Sequence, residues 1–410
     1  MEKKYSLRKD KIRVVLLEGI HHSAYDFFVA NGYTNIESYS GAPDERDLRE
    51  IIKDTNIIGI RSRTNLTGDI LNGGSRLLAV GCFSIGTNQV DEKAARLQGI
   101  PVFNAPFSNT RSVAELVVAE AIMLLRNIPL KNAAAHKGSW LKSASNCFEV
   151  RDKNIGIIGY GHIGSQVSIL AEGLGMNVYY YDIVKKLSLG KAVSCSSLDE
   201  LLSQAHIVTL HVPETPLTKN MIGERELALM RRGSCLINAS RGSVVDIPAL
   251  SGSLKSEHIS GAALDVFPDE PSSNNDPFIS ELQQFDNVIL SPHVGGSTME
   301  AQANIGTEVA EKLVKYSDTG ATIGATNFVQ ISLQPNNNVQ RFLHIHKNEP
   351  GVLKEVNYIF TSKGINIAGE YLQTDPEIGY VIIDTESHLG SGVLEELKAI
   401  KGTIKVRMLY

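Results

Sequence analysis

Residues 154–166 read NIGIIGYGHIGSQ. A short apolar run meets three glycines, Gly159, Gly161 and Gly164, spaced G-x-G-x-x-G, and no other feature constrains the fold as tightly. Strand-like KNIGII (153–158) precedes the glycines and helix-like SQVSILAEGLG (165–175) follows them. Gly159 permits a tight turn, Gly161 lets a pyrophosphate approach the backbone, and Gly164 lets the helix pack on the sheet. His162 and Ile163 complete the loop, where the amides of a helix start attract phosphate oxygens. The next strand-like run, NVYYYD, ends in Asp182, 18 residues past Gly164. A carboxylate there accepts from ribose hydroxyls and repels a 2′-phosphate. Together these residues predict a dinucleotide cradle that favours NAD over NADP. The bare alternative is a structural strand–turn–helix with a chance acid. Lys185 and Lys186 read as solvated charges.

Strands and helices alternate through the first three hundred residues. IRVVLLEG (12–19), NIIGIRS (56–62), RLLAVGC (76–82) and IPVFNAP (100–106) are apolar runs suited to a buried parallel sheet. SAYDFFVANG (23–32) and DEKAARLQG (91–99) are helical between them. Ser112 and Glu115 make a capping-box pattern, which predicts a helix from there to roughly His136. A second alternation runs from Asn154 to about His293, with later strands IVTLHVP, SCLINAS, ISGAALDVF and NVILSPH. SLQPNNN (332–338) reads as a polar, flexible strap. The tail beyond it reads strand–helix–strand–strand–helix–strand, the split ferredoxin-like plan.

The chain of 410 residues has a net charge of −5, which supplies no basic field for nucleic acid and no polybasic face for a membrane. No run approaches the roughly 20 apolar residues of a membrane span. Four scattered cysteines without metal-ligand spacing imply reduced thiols, a cytoplasmic setting and no metal site.

Three polar groups stand where the later strands end: Arg241 in NASRGSVVD, Asp265 and Glu270 in ALDVFPDEP, and His293 in SPHVGGS. Ligands in open α/β sheets bind outside the carboxyl ends of the strands, so these side chains are expected in one cleft. Arg241 suits a two-point grip on a carboxylate. His293 suits proton transfer at neutral pH, with Glu270 holding its other ring nitrogen. Each has a plainer reading alone: a turn histidine, an acidic loop, an exposed arginine. In the first lobe, Arg61, Ser62 and Arg63 end a strand and suit a phosphate or second carboxylate; Asn109 and Thr110 add hydrogen-bonding groups.

The segments GCFSIGTNQVD, NAPFSNTRSVAE, GYGHIG, LHVPETPLTKNMI, NASRG, DVFPDEP and SPHVGGST together resemble the D-isomer-specific 2-hydroxyacid dehydrogenase family over nearly the full length. The likeness is to its short branch that acts on D-3-phosphoglycerate and carries one tail domain. That resemblance implies a flavodoxin-like substrate domain from residues 1–106 and 299–325, with a Rossmann NAD domain (107–298) inserted. It further implies a linker over 326–338 and an ACT domain over 339–410. It implies catalytic roles for Arg241, Glu270 and His293, and a cofactor lining of Ala239, Ser240, Arg241, Asp265, His293, Val294, Gly295 and Gly296. A doubly anionic substrate suits 3-phosphoglycerate, with 2-hydroxyglutarate as a side substrate. In the tail, His346, Asn348 and Asn366 are expected to take L-serine as effector. Relatives often carry a glycine pair where this chain has Asn336, Asn337 and Asn338. Paired tails and nucleotide domains, with the loop around Trp140 and Lys142, suggest self-association as a tetramer. Two readings stay open beside this one: a dehydrogenase for another D-2-hydroxy acid, and a non-catalytic dinucleotide-sensing scaffold.

Overall fold

The computed structural model describes residues 7–271, 275–334, 339–386 and 391–409. The chain divides into two compact units, Met1–Ser108 with Gln302–Tyr410, and Asn109–Ala301. In the first, β1 (Val14–Leu16), α1 (His22–Ala30), β2 (Ile36–Ser38), α2 (Glu45–Lys53), β3 (Ile57–Ile60), α3 (Gly68–Gly73), β4 (Ala79–Cys82), α4 (Glu92–Leu97) and β5 (Val102–Phe103) alternate. The strands form a parallel sheet in the order β2-β1-β3-β4-β5, the flavodoxin-like winding. β1, β3, β4 and β5 are buried along their whole length, as apolar runs in a sheet covered on both faces must be. Polar side chains set the helix starts: Asp44, Thr67 and Asp91 accept from the amides of Asp47, Ile70 and Ala94.

The second unit opens with α5 (Thr110–Leu125) and α6 (Ile128–His136) rather than the one helix predicted from Ser112. Asn109 occupies the cap position, Ser112 bonds the Thr298 hydroxyl at 2.8 Å, and Glu115 accepts from Arg111 at 2.6 Å. The break falls at Asn127, which takes the left-handed conformation (φ 54) that asparagine tolerates better than most side chains. Pro129 then lies in the first turn of α6, where a missing amide costs nothing. Beyond come β6 (Asn154–Ile158), α7 (His162–Gly173), β7 (Asn177–Tyr181), β8 (Val193–Ser194), α8 (Leu198–Gln204), β9 (Ile207–Leu210), α9 (Glu224–Leu229), β10 (Ser234–Asn238), α10 (Ile247–Lys255), β11 (Ile259–Leu264) and β12 (Val288–Leu290). They make a seven-stranded sheet in the order β12-β11-β10-β9-β6-β7-β8. The order reverses between β6 and β9, so the loops leaving those strands part there and open a place for a ligand.

α11 (Met299–Thr319) carries the chain back to the first unit. The tail follows: β13 (Gln340–Lys347), α12 (Val352–Ser362), β14 (Ile367–Thr374), β15 (Ile378–Thr385), α13 (Ser391–Ala399) and β16 (Thr403–Leu409). Its antiparallel sheet runs β14-β15-β13-β16. One face packs Phe342, Val356, Phe360 and Leu397 in the tail's own core. On the other, Leu343, Ile345 and Tyr380 share a core with Phe103, Leu313 and Tyr316. Full burial of such a side chain stabilises by about 1.5–3 kcal/mol, so the tail is docked on the first unit. Arg341 donates to Asp384 at 2.7 and 2.8 Å and to the Thr319 carbonyl at 3.0 Å. Ahead of the tail, residues 322–331 are anchored, while residues 335–338 of the strap expected over 332–338 lie outside the described residues. Thr322 donates its amide to the Ile331 carbonyl at 2.9 Å, and Asn327 its side chain to that of Ile100 at 3.1 Å. Asn336, Asn337 and Asn338 lie outside the described residues. Among the described residues no helix is long and apolar enough to cross a membrane.

Candidate active site

Gly159 follows β6 with φ 91, and a β-carbon on it would strike the His211 carbonyl beyond β9. A β-carbon on Gly164 would strike the Gly159 carbonyl. Both glycines therefore serve folding. Gly161 differs: a β-carbon there meets nothing within 4 Å, so the mouth of α7 is clear above His162 and Ile163, the first helical residues. A pyrophosphate fits this cradle, where backbone amides face outward. Beside it, Asp182 accepts from the amide of Tyr160 at 2.9 Å and that of Val184 at 2.8 Å. Each carboxylate oxygen has a second lone pair, which leaves it free to accept from a ribose hydroxyl.

After β10, the Asn238 side chain accepts from the Ser240 amide at 3.1 Å and its hydroxyl at 2.8 Å, and donates to the Arg241 carbonyl at 3.0 Å. This knot folds Ala239–Arg241 into a turn. Arg241 donates through Nη1 to the Ser240 carbonyl at 2.7 Å. After β11, Asp265 is 2% exposed and accepts from the Ser291 hydroxyl (2.7 Å), the Val294 amide (2.8 Å) and the Gly295 amide (2.7 Å). It thereby fixes the His293–Gly296 loop. Gly296 lies against Asn109 Nδ2, and Asn109 Oδ1 is buried with no partner among the described residues. Asn109 is thus brought to this loop, and Thr110 begins α5 beside it in sequence.

His293 takes φ 55, a strained choice for its side chain. Nδ1 donates to Glu270 Oε2 at 2.8 Å, and Glu270 Oε1 accepts from the Phe267 amide at 3.1 Å. The carboxylate fixes the tautomer, so in the neutral ring Nε2 carries the lone pair. Bonding to Glu270 raises the His293 pKa above its ordinary value, against burial and the Arg241 charge. Burial works to raise the Glu270 carboxyl, but the bonds from His293 and the Phe267 amide outweigh it and hold it below the usual range. Arg241 acts electrostatically on both. Deeper in, Glu120 is pushed up to about 8 by burial and then by Asp265, so it stays protonated at neutral pH.

In the first unit Arg61, Ser62 and Arg63 follow β3; Arg61 is half-buried and the other two are exposed. In the tail Asn348 and Asn366 are exposed, and Asn348 donates to the Asp375 carbonyl at 2.7 Å. His346 is not open to solvent. It is buried over Gly379, stacked on His344 at 5.4 Å, and donates through Nδ1 to the Lys347 carbonyl at 2.8 Å. β13 is buried on both faces, so His346 is covered on its side of the sheet. Trp140 is 86% exposed. Sequence reasoning did not single out Asn238, Glu18 or Gln89, whose bonds shape the functional loops; only the position of Asn238 at a strand end gave a signal.

The sheet order, the glycine cradle and the Arg241–Glu270–His293 group define a nicotinamide-linked dehydrogenase class. The family model "D-isomer specific 2-hydroxyacid dehydrogenase, NAD binding domain" matches residues 118–295, and "AHAS small subunit-like ACT domain" matches 342–405. D-3-phosphoglycerate dehydrogenase of Escherichia coli (strain K12) is 58% identical over 409 residues, covering 99% of this chain and 100% of that one. The protein of the same name from Haemophilus influenzae is 57% identical over 410 residues, covering 100% of both. A solved D-lactate dehydrogenase from Aquifex aeolicus, complexed with NAD and lactic acid, matches with a TM-score of 0.64 at 27% identity, covering 74% of this chain and 95% of that one. The chain belongs to the D-3-phosphoglycerate dehydrogenase family. It is an NAD-dependent oxidoreductase with a Rossmann nucleotide fold, a flavodoxin-like sheet and an ACT tail.

Proposed function

We propose that the protein oxidises D-3-phosphoglycerate to 3-phosphohydroxypyruvate, the step that opens the phosphorylated route to L-serine, and that L-serine restrains it through the ACT domain. The observation that carries this reading is the 2.8 Å bond from His293 Nδ1 to Glu270 beside the Arg241 turn. With Nδ1–H held by Glu270, Nε2 takes the proton of the substrate hydroxyl. The Glu270 charge stabilises the imidazolium that results. Arg241 grips the substrate carboxylate and keeps the carbinol beside the ring. Bound NAD supplies the acceptor for the hydride that leaves the carbinol carbon. Gly159, Gly161, His162, Ile163 and Gly164 would hold its pyrophosphate and Asp182 its ribose hydroxyls. Ala239, Ser240, Val294, Gly295 and Gly296 would line its nicotinamide end, with Asp265 setting that loop.

Arg61, Ser62 and Arg63 take the phosphate, and Asn109 and Thr110 add polar contacts. A second carboxylate suits the same arginines, which supports 2-oxoglutarate reduction to 2-hydroxyglutarate as a side activity. In the domain division this implies, 1–106 with 299–325 hold substrate, 107–298 hold NAD, and 339–410 hold effector behind the 326–338 connection. L-serine would meet Asn348 and Asn366, with His346 supporting the site from beneath. Self-association through tails and nucleotide units is favoured by the exposed Trp140, and the setting is the cytoplasm. NADH absorbance measured in parallel with 3-phosphoglycerate, 2-oxoglutarate and lactate or pyruvate, with and without millimolar L-serine, tests this. Turnover should be fastest with 3-phosphoglycerate and should fall with serine. Preference for lactate would overturn the substrate, and full activity in serine the regulation.

A further inference from the structure

Glu18 is a nearly buried acid to which the proposed reaction gives no task. It follows β1, is 8% exposed, and takes φ 62, a left-handed backbone that glutamate rarely adopts. Its side chain gathers the turn after β3. Oε1 accepts from the amides of Arg61 at 3.0 Å and Thr64 at 2.9 Å, and Oε2 from the amide of Arg63 at 2.9 Å. Amides converging in this way form a concavity that binds anions. Here the anion is the protein's own side chain. Gln89, also buried, holds the other side of the same residue: its Nε2 donates to the Arg61 carbonyl at 2.7 Å and to the Ser84 hydroxyl at 3.2 Å. The Leu66 amide donates to the Gln89 carbonyl at 2.8 Å, so Gln89 is itself fixed. Arg61 is therefore held at its N–H by Glu18 and at its C=O by Gln89. Its Nη1 also reaches the Glu18 carbonyl, at 3.4 Å.

We propose that Glu18, seconded by Gln89, is a positioning residue that presets the Arg61–Ser62–Arg63 turn for the second anionic group of the substrate. The proposal rests on the reading that these arginines hold that group. Two consequences follow from the bonding. The amides of residues 61, 63 and 64 are spent, so those three are not available to grip the substrate. The turn is ordered before the substrate arrives, so binding does not carry the entropy of ordering it. A loss of this clamp should weaken capture of substrate while leaving the chemical step, which other residues perform, nearly intact.

The test compares parent, Arg61→Ala, Glu18→Gln and Gln89→Met by KM for 3-phosphoglycerate, kcat, and the Kd of NADH by fluorescence. Glu18→Gln keeps the shape but turns an amide N–H toward a backbone N–H. Its KM should rise at least about tenfold, since small misplacement of a binding group is costly. Its kcat should stay within about threefold and its NADH affinity within about twofold, a split that general loosening of the fold would not produce. Gln89→Met should raise KM in the same sense and less. A Glu18→Gln KM within twofold of the parent, beside a raised KM in Arg61→Ala, overturns the positioning role alone, as does a fall in kcat with KM unmoved. If Arg61→Ala leaves KM unchanged, the phosphate reading falls and this role with it. Where Glu18→Gln does not fold, Gln89→Met decides by the same split.

Discussion

Two buried acids, one in each unit, hold three donors of a functional loop, and the loops differ in what they present. Asp265 gathers the Ser291 hydroxyl and the amides of Val294 and Gly295, and so sets His293 in its left-handed position. Glu18 gathers the amides of Arg61, Arg63 and Thr64. The first loop presents an imidazole, which titrates near neutrality; the second presents guanidiniums, which stay charged. pH therefore acts where the imidazole stands. Sensitivity belongs to the His293 loop and its half-exposed partner Glu270.

The largest effect should break the first loop at its tip. His293→Ala removes the proton acceptor, and kcat should fall about a hundred- to ten-thousand-fold. Because the ring is half-exposed, thermal melting should shift little; a fall below tenfold would leave the histidine a bystander. Next, Asp265→Ala strands three donors in a buried place and should cost about 3 kcal/mol in urea unfolding, along with much of the activity. A stability equal to the parent would mean the loop holds itself. A smaller effect sharpens the cofactor side. Asp182→Ala should weaken NAD about tenfold and improve NADP, by titration, as loss of a charged acceptor implies. Equal NAD affinity would remove Asp182 from the ribose.

How far the sequence revealed these places depends on whether a rule of spacing applies. The glycine cradle and Asp182 were legible because their chemistry demands fixed intervals along one strand–loop–helix unit. Arg241, Glu270 and His293 were legible as strand-end residues, but the bond between the last two joins positions 23 residues apart and appears only once β11 and β12 lie side by side. The helix start was misread at Ser112 because α5 begins at Thr110 without a side-chain cap, and Ser112 turns to Thr298 instead. The inward face of His346 was hidden because β13 is buried on both sides, so alternation gives no sign of which face is open. Glu18 gave no local signal at all: its partners are over forty residues away and are backbone amides, which every residue but proline supplies.

If Glu270 tunes His293 as the proton acceptor, the pH dependence of kcat/KM for 3-phosphoglycerate oxidation should show it. In the proposed reaction the neutral ring is the active form. Because Glu270 raises the His293 pKa above its ordinary 6.5, the parent's activity should climb along a limb that lies above that value. Glu270→Gln keeps the hydrogen bond and removes the charge, so the limb should move to lower pH. A limb in the same place in both proteins would contradict the account.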